Sequence, residues 1–145
     1  MDILIEEIDG SIWVAALDST RVVGESPIAE SGAIDRPPGM AAAPELGVVA
    51  MCFGVRSTDE ARPPGSESHV QTAFMLLDRD ARVVAEAARI GARVKSFGGC
   101  DLAWSGREFL LAHRYLGPPL SADVTEEQVS QIVVQSIRVS AKPAR

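Results

Sequence analysis

Four residues of this chain have side chains of the kinds that bind zinc: Cys52, His69, Cys100 and His113. Zinc sites usually contain pairs of ligands a few residues apart, and none of these four lies close to another along the chain. We therefore predict no metal site. Cys100 is also a poor nucleophile, because it follows the end of a predicted helix and precedes Asp101, and both disfavour a thiolate. Cys52 lies in an apolar segment, which predicts a small core residue.

Other catalytic patterns are missing from the sequence. Serines are plentiful, but no Gly-x-Ser-x-Gly elbow occurs. Gly98 and Gly99 follow a predicted helix, whereas a helix that binds phosphate has its glycines before its first turn. The sequence therefore predicts no catalytic residue and no cofactor.

One interpretation of the remaining polar and aromatic residues is a ligand site. Trp104, His113, Arg114 and Tyr115 belong to one predicted hairpin and combine aromatic, basic and hydrogen-bonding groups. A small-molecule-binding protein or small enzyme would place these four residues at the mouth of a pocket between the sheet and the helices. We keep this function as the alternative.

Three arginines suggest a different kind of site. Arg82, Arg89 and Arg93 are separated by seven and four residues within a predicted helix, so they lie close to one face. That face is either solvated, opposite the apolar stripe, or a protein-binding surface for an acidic segment. The acidic segment would belong to a partner protein or to the N-terminal part of this chain.

Charge is distributed unevenly along the chain, whose formal net charge is −6. Residues 1–35 contain eight acidic residues and one arginine, a net charge of −7. The other 110 residues contain 12 acidic and 13 basic residues, a net charge of +1. A net negative charge argues against nucleic-acid binding, which depends on neutralising phosphates. The acidic third either keeps the protein soluble or meets a basic surface.

Three features predict a location in the cytoplasm, with no membrane contact. The N-terminus lacks the basic region of a signal peptide. No apolar run approaches the ~18 residues of a membrane-spanning helix. Two cysteines are too few for a disulfide-stapled secreted scaffold.

We expect residues 1–145 to form a single domain with three parts. Residues 1–23 predict a β-meander with Trp13 in its covered face, because β-branched segments flank an Asp-Gly turn. Residues 24–45 contain four prolines and no periodicity, which predicts a Pro-rich loop. Residues 46–139 predict an α+β core.

Strands of this core are predicted from apolar runs. Residues 46–55 read as a central strand, and residues 69–77 are another strand candidate. Residues 102–104 and 108–116 predict a hairpin around a Ser-Gly turn.

Two helices complete the predicted core. Residues 79–97 have apolar side chains at steps of four and three, with Asp78 as the cap. Residues 124–139 begin with Thr125 and Gln128 at the spacing of a capping box. The predicted fold class is α+β: an antiparallel sheet of five to seven strands with two helices packed on one face.

The C-terminal half resembles the YbjN family, bacterial proteins with a type III secretion chaperone-like fold. The resemblance covers residues 70–138 and rests on three segments: KSFGG at 95–99, FLLAHR at 109–114 and DVTEEQ at 123–128. The family opens with a helix, whereas this chain opens with predicted strands. The resemblance implies a non-enzymatic regulatory or protein-binding role and supplies no catalytic residue.

The leading functional prediction is therefore a non-catalytic protein-binding module, acting as an adaptor, a chaperone or a subunit of a larger assembly. We also expect homo-oligomers. A third interpretation is a structural subunit that pairs through residues 109–116 as an exposed edge strand, which a charge at Leu110 or Leu111 would test.

Overall fold

The fold is almost entirely β, as seen in a computed structural model. The structure describes residues 2–8, 11–18, 21–30, 38–56, 70–94, 96–117 and 129–140. These ranges contain ten strands and one short 3-10 helix, and they contain no α-helix. The predicted α+β class with two packed helices is therefore wrong.

All ten strands pair in antiparallel fashion. They are β1 (Asp2–Ile8), β2 (Ser11–Asp18), β3 (Arg21–Glu30), β4 (Gly39–Ala43), β5 (Val48–Arg56), β6 (Val70–Asp78), β7 (Val83–Val94), β8 (Ser96–Trp104), β9 (Phe109–Gly117) and β10 (Val129–Ile137). The 3-10 helix, Pro44–Leu46, joins β4 to β5.

The strands form three sheets. The N-terminal sheet has the order β1-β2-β3, the central sheet β4-β5-β6-β7 and the C-terminal sheet β8-β9-β10. Strands β5 and β6 are buried along almost their whole length. Their sequences are accordingly continuous apolar runs, as expected of strands covered on both faces.

The central sheet has a hydrophobic cluster on each face. The cluster shared with the N-terminal sheet contains Val14, Ala16, Met51, Phe53, Ala73, Met75, Leu77 and Ala81. The cluster shared with the C-terminal sheet contains Ala43, Ala50, Cys52, Phe74, Leu76, Leu102, Phe109 and Leu111. Alternate residues of β5 and β6 serve the two clusters, because side chains along a strand point to opposite faces.

The first predicted helix, 79–97, is replaced by β7 and the start of β8. Apolar residues four apart share one face of a helix, but they also share one face of a strand, since four is even. Gly91 has a φ of 75°, which no helix accommodates, and β7 pairs along β6 with register shifts. The predicted cap, Asp78, does accept backbone N–H groups: Asp80 and Arg82 each donate to its Oδ1 at 2.9 Å, within a hairpin turn.

The second predicted helix is also wrong over the part that the structure describes. Residues Val129–Ile137 form β10, whose exposure alternates at every second residue. Three of these nine residues are Val and two are Ile, and β-branched side chains of this kind favour strands. The predicted capping segment, 124–128, lies outside the described residues.

The elements that were predicted from short sequence patterns agree better with the structure. The β-meander is present as β1-β2-β3, and β5, β6 and the β8–β9 hairpin lie where they were expected. Trp13 is only half-buried, because its neighbours Val14 and Ala16 face the core instead. The predicted loop 24–45 differs: β3 continues to Glu30 and β4 occupies 39–43, while 31–37 lie outside the described residues.

Candidate functional site

His113 lies between the central and C-terminal sheets. Its side chain is 7% exposed and its Nδ1 shares a 2.7 Å hydrogen bond with Oγ1 of the buried Thr72 on β6. A Cβ atom added to Gly91 would lie 3.0 Å from Cε1 of the imidazole, so the ring also contacts β7. Burial lowers the pKa of His113 below its usual value, because the charged form is poorly solvated there. The residue therefore acts as a neutral contact between sheets.

Both cysteines of the chain form one disulfide, Cys52–Cys100, which joins β5 to β8. Their Cα atoms are 6.2 Å apart, and the two residues are separated by 48 positions in the sequence. Cys100 pairs with His113 in the β8–β9 register, so the disulfide and the imidazole lie in the same part of the interface. Sequence reasoning assigned Cys52 to the core correctly but missed this bond.

Trp104 lies at the other end of the β8–β9 hairpin. It pairs with Phe109, and their ring centroids are 4.8 Å apart. Its Nε1 donates a 3.0 Å hydrogen bond to Oε2 of Glu45, at the β4–β5 connection. Cys100, which pairs with His113, lies four residues before Trp104 on β8. Four residues of an extended strand span about 13 Å, and this distance separates Trp104 from His113.

Arg114 and Tyr115 complete the predicted ligand site. Arg114 is exposed on the outer face of β9, where its Nε donates to Oγ of Ser130 at 3.3 Å. The backbone of Tyr115 pairs with Phe97 and Gln131, but its side chain lies outside the described part of the chain. Among the three predicted residues whose side chains the structure describes, His113 and Arg114 border one depression and Trp104 does not.

That depression has a volume of about 260 Å³ and opens widely to solvent. It is lined by Gly99, Cys100, Asp101, Ala112, His113, Arg114 and Ile132. Pockets for small molecules usually measure ≈ 300–1,000 Å³ and enclose most of the ligand. The depression is therefore small and shallow for that purpose.

The arginines predicted to share a helix face belong to an extended segment. Arg82 precedes β7 and Arg89 lies within it, and both are exposed. Arg93 also lies in β7, with its side chain outside the described residues. From Arg82 to Arg93 an extended strand spans about 36 Å, compared with about 16 Å for a helix. The three therefore do not form the compact row that was predicted.

The outer face of the C-terminal sheet was not predicted as a site. Ile132 is 71% exposed, Val134 63% and Leu110 39%, and Ala112 lies among them opposite Val134. We call these four residues the docking face. Strand β9 is the middle strand of its sheet, so the edge that was predicted for 109–116 belongs to β10 instead. Residues 129–137 show no regular alternation of apolar and polar side chains, so the sequence carried no simple signal for this face.

The class defined by this fold is an all-β protein of three antiparallel sheets, with the central sheet covered on both faces. Among the described residues, no three His, Cys, Asp or Glu side chains are arranged to hold a metal ion. That same part of the chain contains no helix long and apolar enough to cross a membrane. No family model, curated protein or solved structure matches this chain. The YbjN resemblance therefore stays a prediction.

Proposed function

We propose that this chain is a non-catalytic protein-binding module whose binding site is the docking face. The observation that carries the proposal is the exposure of Ile132 and Val134 on an edge strand. Exposed apolar area costs about 25 cal/mol per Å² relative to burial, and contiguous patches of this kind often mark interaction sites. Burying the docking face against a partner would recover that free energy.

The groups that could do chemistry support the same proposal, because they have structural roles. The His113 imidazole contacts Thr72 in the sheet interface. Both thiols are consumed in the Cys52–Cys100 disulfide. Trp104 packs on the core and bonds to Glu45.

Affinity capture from the native extract, with quantitative mass spectrometry, tests the proposal. The wild-type chain is compared with Leu110→Lys and Ile132→Lys, and with Val84→Lys as a matched control. Val84 is also an exposed apolar residue, at 53%, but it lies on β7, away from the docking face. We expect a protein partner to be retained by the wild type and the control and lost from both docking-face variants. Equal recovery with all four baits would contradict the proposal.

The alternative function, a small-molecule-binding protein or small enzyme, would use the depression beside His113 and Arg114. We rank it second because the depression is small and shallow. Native mass spectrometry of the purified protein tests it. A stoichiometric small molecule that is lost in Arg114→Ala would favour this function over the protein-binding one.

A location in the cytoplasm remains a proposal as well. The Cys52–Cys100 disulfide argues against it, because cytosolic thiols are usually kept reduced. Trapping the thiols with an alkylating reagent in intact cells decides between the cytoplasm and an oxidising compartment. Both cysteines alkylated would support the cytoplasm, and an intact disulfide would favour an oxidising compartment.

A further inference from the structure

We propose that β10 pairs with β10 of a second copy of this chain, antiparallel and about a two-fold axis through Val133. The two C-terminal sheets would then form one continuous sheet of six strands. The inference rests on the proposed function, because it names the partner that meets the edge of the docking face.

The residue sequence of β10 is nearly palindromic about Val133. Reading outward in both directions, Ile132 matches Val134, Gln131 matches Gln135, Ser130 matches Ser136 and Val129 matches Ile137. In an antiparallel pair centred on Val133, each residue faces the residue that matches it. A two-fold interface must be self-complementary, and this pattern satisfies the requirement along all nine residues.

The palindrome is also consistent with the two faces of the strand. Ile132 and Val134 are exposed on the outer face, whereas Gln131, Val133 and Gln135 lie on the half-buried inner face. Matching positions differ by an even number of residues, so each pair stays on its own face. Apolar side chains would meet across the outer face, and side-chain amides would meet across the inner one.

Within the described residues, the edge of β10 carries none of the features that usually protect an edge from pairing. An exposed edge is usually blunted by charges, proline, bulges or shortness. The other edge strands each have such a feature: acidic residues in β1, Pro27 in β3, only five residues in β4, and charged residues with register shifts in β7 and β8. The nine residues of β10 include no charge, proline or glycine, and β9 is its one neighbour within the described residues. This bare edge points to a strand as the occupant.

One polar atom adds a further reason for a second copy. Oε1 of Gln135 is buried and accepts no hydrogen bond from the described residues. In the proposed pairing, Gln135 lies opposite Gln131 of the partner subunit. A side-chain amide has two N–H donors, so a small rotation of Gln135 would give its oxygen a partner.

Two variants that differ only in the sign of one charge test the register. In Ile132→Lys/Val134→Lys, each lysine faces a lysine of the second copy, and like charges directly opposite each other disfavour pairing. In Ile132→Lys/Val134→Glu, each lysine faces a glutamate. Both positions are largely exposed, so the fold of the monomer is not at risk. Val84→Lys is the control for an added charge elsewhere.

The mass in solution is measured by light scattering after gel filtration, with circular dichroism to check folding. We expect about twice 15.4 kDa for the wild type, for Val84→Lys and for the Lys/Glu variant, and 15.4 kDa for the Lys/Lys variant. A monomeric wild type would overturn the inference, as would a Lys/Lys variant that stays dimeric. A Lys/Glu variant as monomeric as the Lys/Lys variant would overturn the register.

These results separate the inference from the proposed function. A monomeric wild type whose protein partner is lost in Ile132→Lys would leave the protein-binding function standing and show that the occupant of the edge is a different chain. A monomeric wild type with no partner affected by Ile132→Lys or Leu110→Lys would contradict both.

Discussion

Oγ1 of Thr72 and Nδ1 of His113 lie 2.7 Å apart, and this hydrogen bond joins the central sheet to the C-terminal sheet. Both side chains are buried, so neither can exchange its partner for water without opening the interface. The contact also links the docking face to the core, because Ala112 of that face directly precedes His113 on β9.

The buried imidazole predicts a pH-dependent stability. Burial lowers the pKa of His113, whereas the unfolded chain has a histidine pKa of about 6.5. The unfolded state therefore binds a proton that the folded state does not, and the free energy of unfolding falls as the pH drops through about 6.5. Urea unfolding between pH 8 and pH 5 measures this loss. His113→Asn should reduce the pH dependence, and an unchanged dependence in that variant would rule out His113 as its source.

Removing the Thr72 hydroxyl should weaken the same interface. We expect Thr72→Val to lower the free energy of unfolding by about 1–3 kcal/mol, because a buried polar atom of His113 loses its partner. Thr72→Ser keeps the hydroxyl and is the control. If the two variants were equally stable in urea unfolding, the hydrogen bond would contribute nothing measurable.

Gly24 should tolerate no side chain, because β3 packs closely against the turn between β6 and β7. A Cβ atom at Gly24 would lie 1.8 Å from the backbone oxygen of Asp80. We expect Gly24→Ala to destabilise the protein by about 1–3 kcal/mol or more, since backbone must move. Gly106→Ala is the comparison: it meets nothing within 4 Å, and its φ of 88° costs about 1–2 kcal/mol. Thermal unfolding should rank Gly24→Ala as the less stable variant, and the reverse order would contradict this packing.

The disulfide should stabilise the contact between β5 and β8. We expect Cys52→Ala/Cys100→Ala to lower the free energy of unfolding by about 2–4 kcal/mol, mainly because the unfolded chain loses a cross-link. Peptide mapping without reductant checks the bond directly. Two thiols that react with iodoacetamide in the folded, unreduced protein would show that the bond is absent.

Substitutions at Leu110 and Leu111 should change the free energy of unfolding by very different amounts. Leu111 is fully buried in the cluster beneath the C-terminal sheet, so Leu111→Ala should cost about 2–5 kcal/mol. Leu110 is on the docking face, so Leu110→Lys should change stability by less than about 0.5 kcal/mol while affecting binding. Urea unfolding of both variants checks the pair. A large loss of stability in Leu110→Lys would mean that this side chain is part of the core.

Patterns that depend on neighbours in the sequence were predicted well. The apolar run of β5 indicated a central strand, since a continuous run leaves no polar face, and β6 was predicted as a strand. The β8–β9 hairpin was predicted from its turn, where Ser105 N–H donates to the carbonyl of Glu108 at 3.0 Å. The same reasoning correctly placed a meander at the N-terminus.

The two helices were predicted wrongly because the sequence signals that suggested a helix also fit a strand and its turn. Asp78 binds backbone amides near it in a hairpin turn as it would at a helix start. Apolar residues four apart share one face of a helix and also one face of a strand. The candidate ligand site stays a prediction: His113 and Arg114 both border the depression, although the side chains of adjacent strand residues point to opposite faces.

The sequence alone determined which segments are apolar, where charge is concentrated and where the chain can turn, since these are local properties. Only the tertiary structure decided that Cys52 meets Cys100 and that His113 meets Thr72, because these pairs are far apart in the chain. The tertiary structure also decided the secondary structure of residues 129–137. In a helix they would present Val129, Ile132 and Val133 on one face, whereas as β10 they expose Ile132 and Val134 along an edge that no other described strand pairs with. Pairing with β9 selects the strand, because hydrogen bonds between strands depend on residues that are distant in the sequence.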